Sequence, residues 1–297
     1  MSKLGAILFT STGRPSRYII SSLLDSPQCP EIRIITRSGS NVRESFPHKL
    51  QVAPHSIIVV DHFESKEYRS AFQGADIVFS DGMSIDAKEE AAGAATIDAA
   101  RAAEVRHFIF LSVFQPMRTK LHTHFAKLRL ANISPHFSAI IDDPSSIEEY
   151  LLESRLNYTI LQVGQHYLLV TLTSHLPKPP HYMQNVDLAA ALKTGKIHLG
   201  FSSSISQGFL DLVDLAAVVL KIIHNPSEHN YARYELVAQN VTYDQIAETI
   251  SKISRKVVRC QVLDAKEYLA MMNQRGEIRN EYAEDAVLRI MMYYDRW

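Results

Sequence analysis

The sequence predicts a doubly wound α/β fold on a parallel sheet, with a smaller α/β lobe in its C-terminal half. Three observations carry this. Strand-like and helix-like stretches alternate through residues 1–162. Repeated strand–crossover–strand units of this kind build a parallel sheet with right-handed crossovers. The first apolar run, Ala6-Ile7-Leu8-Phe9, shows no polar alternation, as a strand buried on both faces requires. A tight turn and a helical pattern follow it directly.

Each element has a local reason. Residues 15–24 read as a helix with Pro15 in its first turn, where a missing amide does no harm. Residues 32–36 and 56–60 are short, β-branched and apolar, and read as the second and third strands. A short helix over 67–72 is ended by Gly74, and 76–80 is a fourth strand. The alanine-rich stretch 86–104 has high helix propensity. Residues 107–112 form a fifth strand. Asp143 caps a helix over 143–154 that has Pro144 at its first position. Residues 158–162 form a sixth strand.

The second half alternates less cleanly. A helix over 211–224 is closed by Asn225-Pro226, and 234–237 reads as a strand. Thr242 with Gln245, and Asp264 with Glu267, form capping boxes that open helices over 243–253 and 265–272. The expected organisation is a first domain over 1–162 and a smaller, partly interleaved lobe over 163–297. The lobe is expected at the carboxyl edge of the sheet, where open α/β sheets bind ligands.

Composition narrows the function. Apolar residues make up 46% of the 297, ample for a large core. A formal net charge of −1 gives no pull toward nucleic acid or an anionic membrane. Cys29 and Cys260 lie far apart and define no disulfide framework, so a reducing compartment is the default. The opening apolar run is too short for a signal-peptide core, and no stretch reaches the ~18 apolar residues of a membrane span. A soluble, cytoplasmic protein is expected.

The turn after the first strand reads Thr10-Ser11-Thr12-Gly13-Arg14-Pro15-Ser16. Dinucleotide-binding loops carry three spaced glycines here, for a tight turn, close approach to pyrophosphate, and helix–strand packing. Only Gly13 remains, with Thr10 and Ser16 at the outer positions. Both carry a Cβ, so the turn must avoid positive φ or bear strain. Amides at the helix start still face any anion above them. The alternative is a strand–helix turn without a ligand. If the loop binds pyrophosphate, glycine restored at Thr10 and Ser16 is expected to tighten binding.

Other candidates follow from strand ends. Arg37 and Ser38 follow the second strand, where an arginine accommodates a ribose 2′-phosphate. Arg37 with Arg14 therefore points to NADP, with NAD as the lesser option. Asp61 and His62 end the third strand, and Asp61 is placed to accept from an adenine amino group or to cap the next helix. Ser80, Asp81 and Gly82 end the fourth strand beside the middle of the cofactor. Ser112 ends the fifth, where nicotinamide and substrate meet. It lacks the Gly-x-Ser-x-Gly elbow of a hydrolase nucleophile. His122, His124 and His136 fit no standard metal spacing, and no metal site is expected. The closing stripe of Leu288, Met291, Met292, Tyr293 and Tyr294 reads as packing surface.

At this point the chain resembles the NmrA-like family of atypical short-chain dehydrogenases. The resemblance rests on Ser11-Thr12-Gly13-Arg14, Thr36-Arg37, Gln73-Gly74-Ala75-Asp76, His107-Phe108-Ile109-Phe110-Leu111-Ser112, Ile147-Glu148-Glu149-Tyr150-Leu151, His181-Tyr182-Met183-Gln184-Asn185 and Asp211-Leu212-Val213-Asp214. The pieces are individually weak but run in order along nearly the whole chain. The resemblance implies NAD(P) bound in a Rossmann domain. It implies either an oxidoreductase of small hydrophobic, aromatic or polyketide-like secondary metabolites, or a non-catalytic nucleotide sensor that binds a protein partner. It places His181 and Tyr182 on the nicotinamide-facing loop, where Tyr182 would supply a proton and His181 would act near neutral pH; the alternative is that both are packing residues of the second lobe. Ser112, His181 and Tyr182 are thus the candidate catalytic residues.

Three departures matter. The outer glycines are gone. The lysine that family reductases often carry before the Ile147 helix is replaced by Asp143-Pro144, and no Tyr-x-x-x-Lys pair follows the fifth strand. Residues 163–178 are an addition, expected as a lid over the nicotinamide end or as a segment foreign to the functional protein. The resemblance also implies a further short stretch beyond Trp297.

Overall fold

The computed structural model describes residues 5–36, 50, 54–81, 89–113, 144–163 and 182–274, together with 284, 287, 288 and 291. The elements in chain order are β1 (Ala6–Phe9), α1 (Arg14–Leu24), β2 (Ile32–Thr36), β3 (Ser56–Val59), α2 (Lys66–Ser70), β4 (Ala75–Ser80), α3 (Glu89–Ala102), β5 (His107–Val113), α4 (Pro144–Glu153) and β6 (Tyr158–Val163). They continue with α5 (Leu188–Thr194), β7 (Lys196–Leu199), β8 (Gln207–Phe209), α6 (Leu212–His224), β9 (Ala232–Leu236), β10 (Gln239–Val241), α7 (Tyr243–Ser254), β11 (Arg259–Val262) and α8 (Ala265–Gln274).

The chain divides into two compact units. One takes in the described residues of Met1–Ser112, Asp143–Gln162 and Leu212–Leu236. It is a doubly wound α/β unit around a seven-stranded sheet of order β3-β2-β1-β4-β5-β6-β9. The pairings β3–β2, β2–β1, β1–β4 and β4–β5 are all parallel. Strands β1 and β4 are neighbours although α1, β2, β3 and α2 separate them in sequence. The order therefore reverses between them, which makes the topological switch point at which such sheets bind ligands.

The continuous apolar runs behave as parallel strands should. Ile7, Leu8, Phe9, Ile77, Val78 and Phe79 have no exposed surface. Helix α1 packs on α6, burying Ile19, Ile20 and Leu23 of the one and Leu212, Leu215 and Val219 of the other. Helix α2 starts one residue earlier than expected because the Ser65 hydroxyl accepts from the Tyr68 amide. Gly74 then breaks the chain with φ +70, a conformation open to glycine without strain. Burial pushes the Tyr68 hydroxyl up to about 12, and it shares a hydrogen bond of 2.6 Å with Thr96. The start of the alanine-rich helix, expected at 86, and Asp143 lie outside the described residues; α3 and α4 are seen from Glu89 and Pro144. The helix expected from 211 begins at Leu212, and the strand expected over 234–237 is β9. That strand belongs to the main sheet beside β6.

The other unit takes in the described residues of Val113–Asp142, Val163–Asp211 and Val237–Trp297. Its strands pair as two small sheets, β8 antiparallel to β10 and β7 parallel to β11. Phe201, Phe209 and Tyr243 pack edge-to-face in its core. Both capping boxes form. The Thr242 hydroxyl accepts from the Gln245 amide, and the Gln245 side chain accepts from the Thr242 amide at 2.8 Å. Asp264 and Glu267 make the same reciprocal pair. Strands β7, β8, β10 and β11 and helix α5 were not expected. The strands are three or four residues long and half polar, as in Lys-Ile-His-Leu, so no periodicity marks them. Burial and the neighbouring Asp244 carboxylate push the Cys260 thiol up to about 12. Among the described residues no helix is long and apolar enough to cross a membrane.

Candidate functional site

The switch point brings together the end of β1, the start of α1 and the end of β4. Thr10 is tied to β4 twice. Its amide donates to the Phe79 carbonyl at 3.1 Å, and its hydroxyl donates to Ser80 Oγ at 3.2 Å. Both side chains are buried. Neither Thr10 nor Ser16 is among the described residues with positive φ, so the loop avoids the strain its lost glycines would threaten.

Asp81 is the centre of this arrangement. Its carboxyl group is buried directly after β4, and the Ser16 hydroxyl donates to Oδ2 at 3.1 Å. Burial pushes Asp81 up to about 6, against hydrogen bonds from Ser11 and Ser16 that pull it down. Oδ1 has no hydrogen-bond partner. A buried orphan of this kind calls for a donor that the described residues do not supply.

Gly13 is required by space and not by backbone conformation. Its φ is −58, accessible to any residue. A Cβ there would meet Asp81 Oδ2 at 2.7 Å and Ser11 Oγ at 3.3 Å. The Gly13 amide donates to Ser11 Oγ at 3.0 Å. Ser16, at the third glycine position, buries its hydroxyl against Asp81, so helix and strand are joined there by a polar bond. This corrects the expectation that glycine at Ser16 would improve the loop. Ser16→Gly removes a partner from a buried carboxyl group that already lacks one, and costs about 1–3 kcal/mol. A drop in melting temperature together with weaker nucleotide binding is the expected result; tighter binding would refute this role for Ser16.

Helix α1 begins as an anion site would. No side chain caps it, and its first turn holds no acidic residue. Arg14 and Arg17 sit at this end instead, half-buried, with burial pulling both guanidinium groups below the ordinary arginine value. Arg17 Nε donates to the Thr12 carbonyl at 2.9 Å, which braces the loop.

A second cluster lies at the ends of β5 and β6 in the same unit. The Ser112 hydroxyl donates to Glu148 Oε1. Gln162 Nε2 donates to both Glu148 oxygens, at 3.0 and 3.3 Å. Arg233 of β9 pairs with Glu148 Oε2 at 2.7 Å. Glu148 is buried while Arg233 is half-exposed. Sequence reasoning missed Glu148, Gln162 and Arg233 as site residues. The available signal was a carboxylate on the same helix face as Ile147 and Leu151, which pack into the core.

Asp61 and His62 are exposed beyond β3. Tyr182 has no exposed surface and forms a parallel bridge to Leu210 within its own unit. Arg37, Ser38, Gly82, His181, residues 164–178 and the histidines His122, His124 and His136 lie outside the described residues. Among the described residues no three His, Cys, Asp or Glu side chains converge on a possible metal position.

The family model of the NmrA-like family matches residues 5–287. The chain belongs to the NmrA-like family. No curated protein sequence matches it. Solved structures with the same fold include an NADPH-dependent quinone oxidoreductase from Escherichia coli complexed with NADPH, 21% identical, with TM-score 0.69 over 98% of this chain and 89% of that one. Citrobacter sp. triphenylmethane reductase complexed with NADP(H) is 18% identical, with TM-score 0.69 over 99% and 90%. NmrA, a negative transcriptional regulator in complex with NAD, is 16% identical, with TM-score 0.69 over 100% and 83%. At these identities the likeness to this NmrA-like chain is one of fold.

Proposed function

We propose that this NmrA-like chain is an NADP-dependent oxidoreductase acting on a small hydrophobic substrate of aromatic or polyketide type. The observation that carries the nucleotide is the start of α1: bare amides, Arg14 and Arg17 instead of acids, and a Gly13 whose missing side chain leaves room beside Asp81. The orphaned Asp81 Oδ1 fits a ribose hydroxyl that brings a donor into the cleft. Thr10, Ser11, Thr12, Gly13, Arg14, Pro15, Ser16, Ser80, Asp81 and Gly82 hold the pyrophosphate side. Arg37 and Ser38 meet the 2′-phosphate, and Asp61 and His62 border the adenine. A bound nicotinamide supplies the hydride chemistry. The chain's own residues bind, orient and exclude water, with Ser112 at the reacting end and His181 nearby. The structures complexed with NADPH and NADP(H) support this choice of cofactor. The assignment of the sheet unit to the nucleotide and of the other, interleaved unit to the substrate is part of the proposal, with residues 212–236 of the second half on the nucleotide side.

A second reading is a non-catalytic NAD(P) sensor that binds a protein partner. Two observations favour it: Asp143-Pro144 stands where family reductases often carry a lysine, and Tyr182 is buried. Incubation with NADPH and a panel of quinones and enones separates the two. Turnover is expected; tight NADPH binding without turnover on any acceptor would favour the sensor. Titration is expected to show NADP(H) bound more tightly than NAD(H), with most of that preference lost in Arg37→Ala. Equal affinity for both nucleotides in the parent would overturn the choice of cofactor.

A further inference from the structure

The cluster at Glu148 contains a proton count that fixes the chemistry of Ser112. Three side chains reach the buried Glu148 carboxylate among the described residues: Ser112, Gln162 and Arg233. Arginine only donates. Gln162 must present its amide N–H, since its carbonyl would face the same carboxylate oxygens in repulsion. With the Arg233 ion pair on Oε2, the carboxylate is an acceptor on both oxygens. The Ser112 hydroxyl has one proton, and it lies on the bond to Oε1. What Ser112 retains for any ligand is its lone pairs. It keeps 7% of its surface exposed, at the carboxyl end of β5.

We propose that Glu148 is a positioning residue that fixes Ser112 as a hydrogen-bond acceptor, so that the group seated on Ser112 is a donor: the carboxamide N–H of a nicotinamide ring. This rests on the nicotinamide reading given above. It excludes Ser112 as a donor to a substrate carbonyl or to a developing oxyanion. That role would need the proton that Glu148 holds. Gln162 and Arg233 serve the same end, because both donate to Glu148 and leave its oxygens as acceptors.

The probes are NADP⁺ and its 3-acetylpyridine analogue, in which a methyl ketone replaces the carboxamide and the N–H donors are lost. The full chain is titrated with each, and the ratio of the two affinities is read. The parent is expected to bind NADP⁺ roughly tenfold more tightly, the effect of leaving one acceptor without its donor. In Glu148→Gln, Arg233 captures the new amide oxygen and the amide N–H₂ turns to Ser112. Ser112 then accepts inward and donates outward, so the preference falls away or inverts toward the ketone. Ser112→Ala brings the ratio close to one with Glu148 intact. Glu148→Asp, which keeps a carboxylate, keeps the sign of the preference. General damage to the site weakens both probes together and leaves the ratio unmoved.

Equal affinities in the parent would overturn the proposal while leaving nucleotide binding intact. So would a tenfold preference that survives both Glu148→Gln and Ser112→Ala. Failure of the folded parent to bind either probe would overturn the nucleotide reading and this proposal with it. If Glu148→Gln does not fold, as a melting curve would show, the Ser112→Ala ratio alone decides.

Discussion

Gly13→Ala weakens NADPH binding about tenfold to a hundredfold, and Asp81→Ala in the same chain restores much of it. The methyl group would stand 2.7 Å from Asp81 Oδ2, closer than real Cβ contacts allow. Asp81 cannot simply swing away. It is buried, and the Ser16 hydroxyl holds Oδ2 from the first turn of α1. The loop must therefore lift, and a lifted loop points its amides away from the pyrophosphate. Overpacking of this kind costs about 1–3 kcal/mol, and each ~1.4 kcal/mol is tenfold in affinity. Calorimetric titration of the parent, the two single variants and the double variant gives the coupling directly. Purely additive effects would show that the methyl group and the carboxylate do not collide. An unchanged affinity in Gly13→Ala would show that the loop does not hold the nucleotide.

Asp81→Asn changes the pH dependence of stability. Burial pushes Asp81 from 3.8 up to about 6, so the folded chain holds this proton more firmly than the unfolded chain does. Between those values the folded state binds more protons, and stability falls as pH rises. The contribution of Asp81 is complete below 3.8 and lost through about 6. A shift of about two units corresponds to roughly 3 kcal/mol. His107 works in the opposite direction. It is buried at the start of β5 between Asn230 and Thr159, and burial pulls it from 6.5 down to about 4. Its contribution is complete above 6.5 and is lost as pH falls through about 4. The two nearly cancel in the parent, which is expected to show a shallow profile between pH 4 and 7. Without the Asp81 carboxyl group the His107 contribution stands alone, so Asp81→Asn loses stability steeply as the solution is acidified. Urea unfolding at intervals across this range tests it. Parallel profiles for parent and variant would mean that Asp81 titrates near its ordinary value.

Much of the fold was legible in the sequence, and the reasons are local. Ala6–Phe9 and Ile32–Thr36 appear with the expected bounds because a strand buried on both faces leaves a run with no polar interruption. The Thr242 and Asp264 capping boxes were readable because both partners lie within one turn. The phosphate loop was legible as a position, since it joins the first strand to the first helix. Its workings were not. Motif logic treated Ser16 as a defect, whereas its partner Asp81 lies 65 residues away and meets it only when β1 and β4 pair. The small strands β8 and β10 escaped notice because three half-polar residues carry no period; their register exists only in each other's presence.

By itself the sequence determined the alternation of elements, the family, the place of the nucleotide loop and the absence of its outer glycines. These follow from near-neighbour chemistry: periodicity, propensity, caps and turn residues. Only the tertiary structure decided why Gly13 must stay, what Ser16 binds, and which way the Ser112 proton points. Each depends on side chains from distant strands sharing one buried volume. Asp81 meets the α1 turn across β1 and β4. Glu148 gathers donors from β5, β6 and β9. In water those polar groups would be satisfied wherever they stood. Burial removes the solvent, so each donor and acceptor must be matched within the fold, and the matching sets the chemistry of the site.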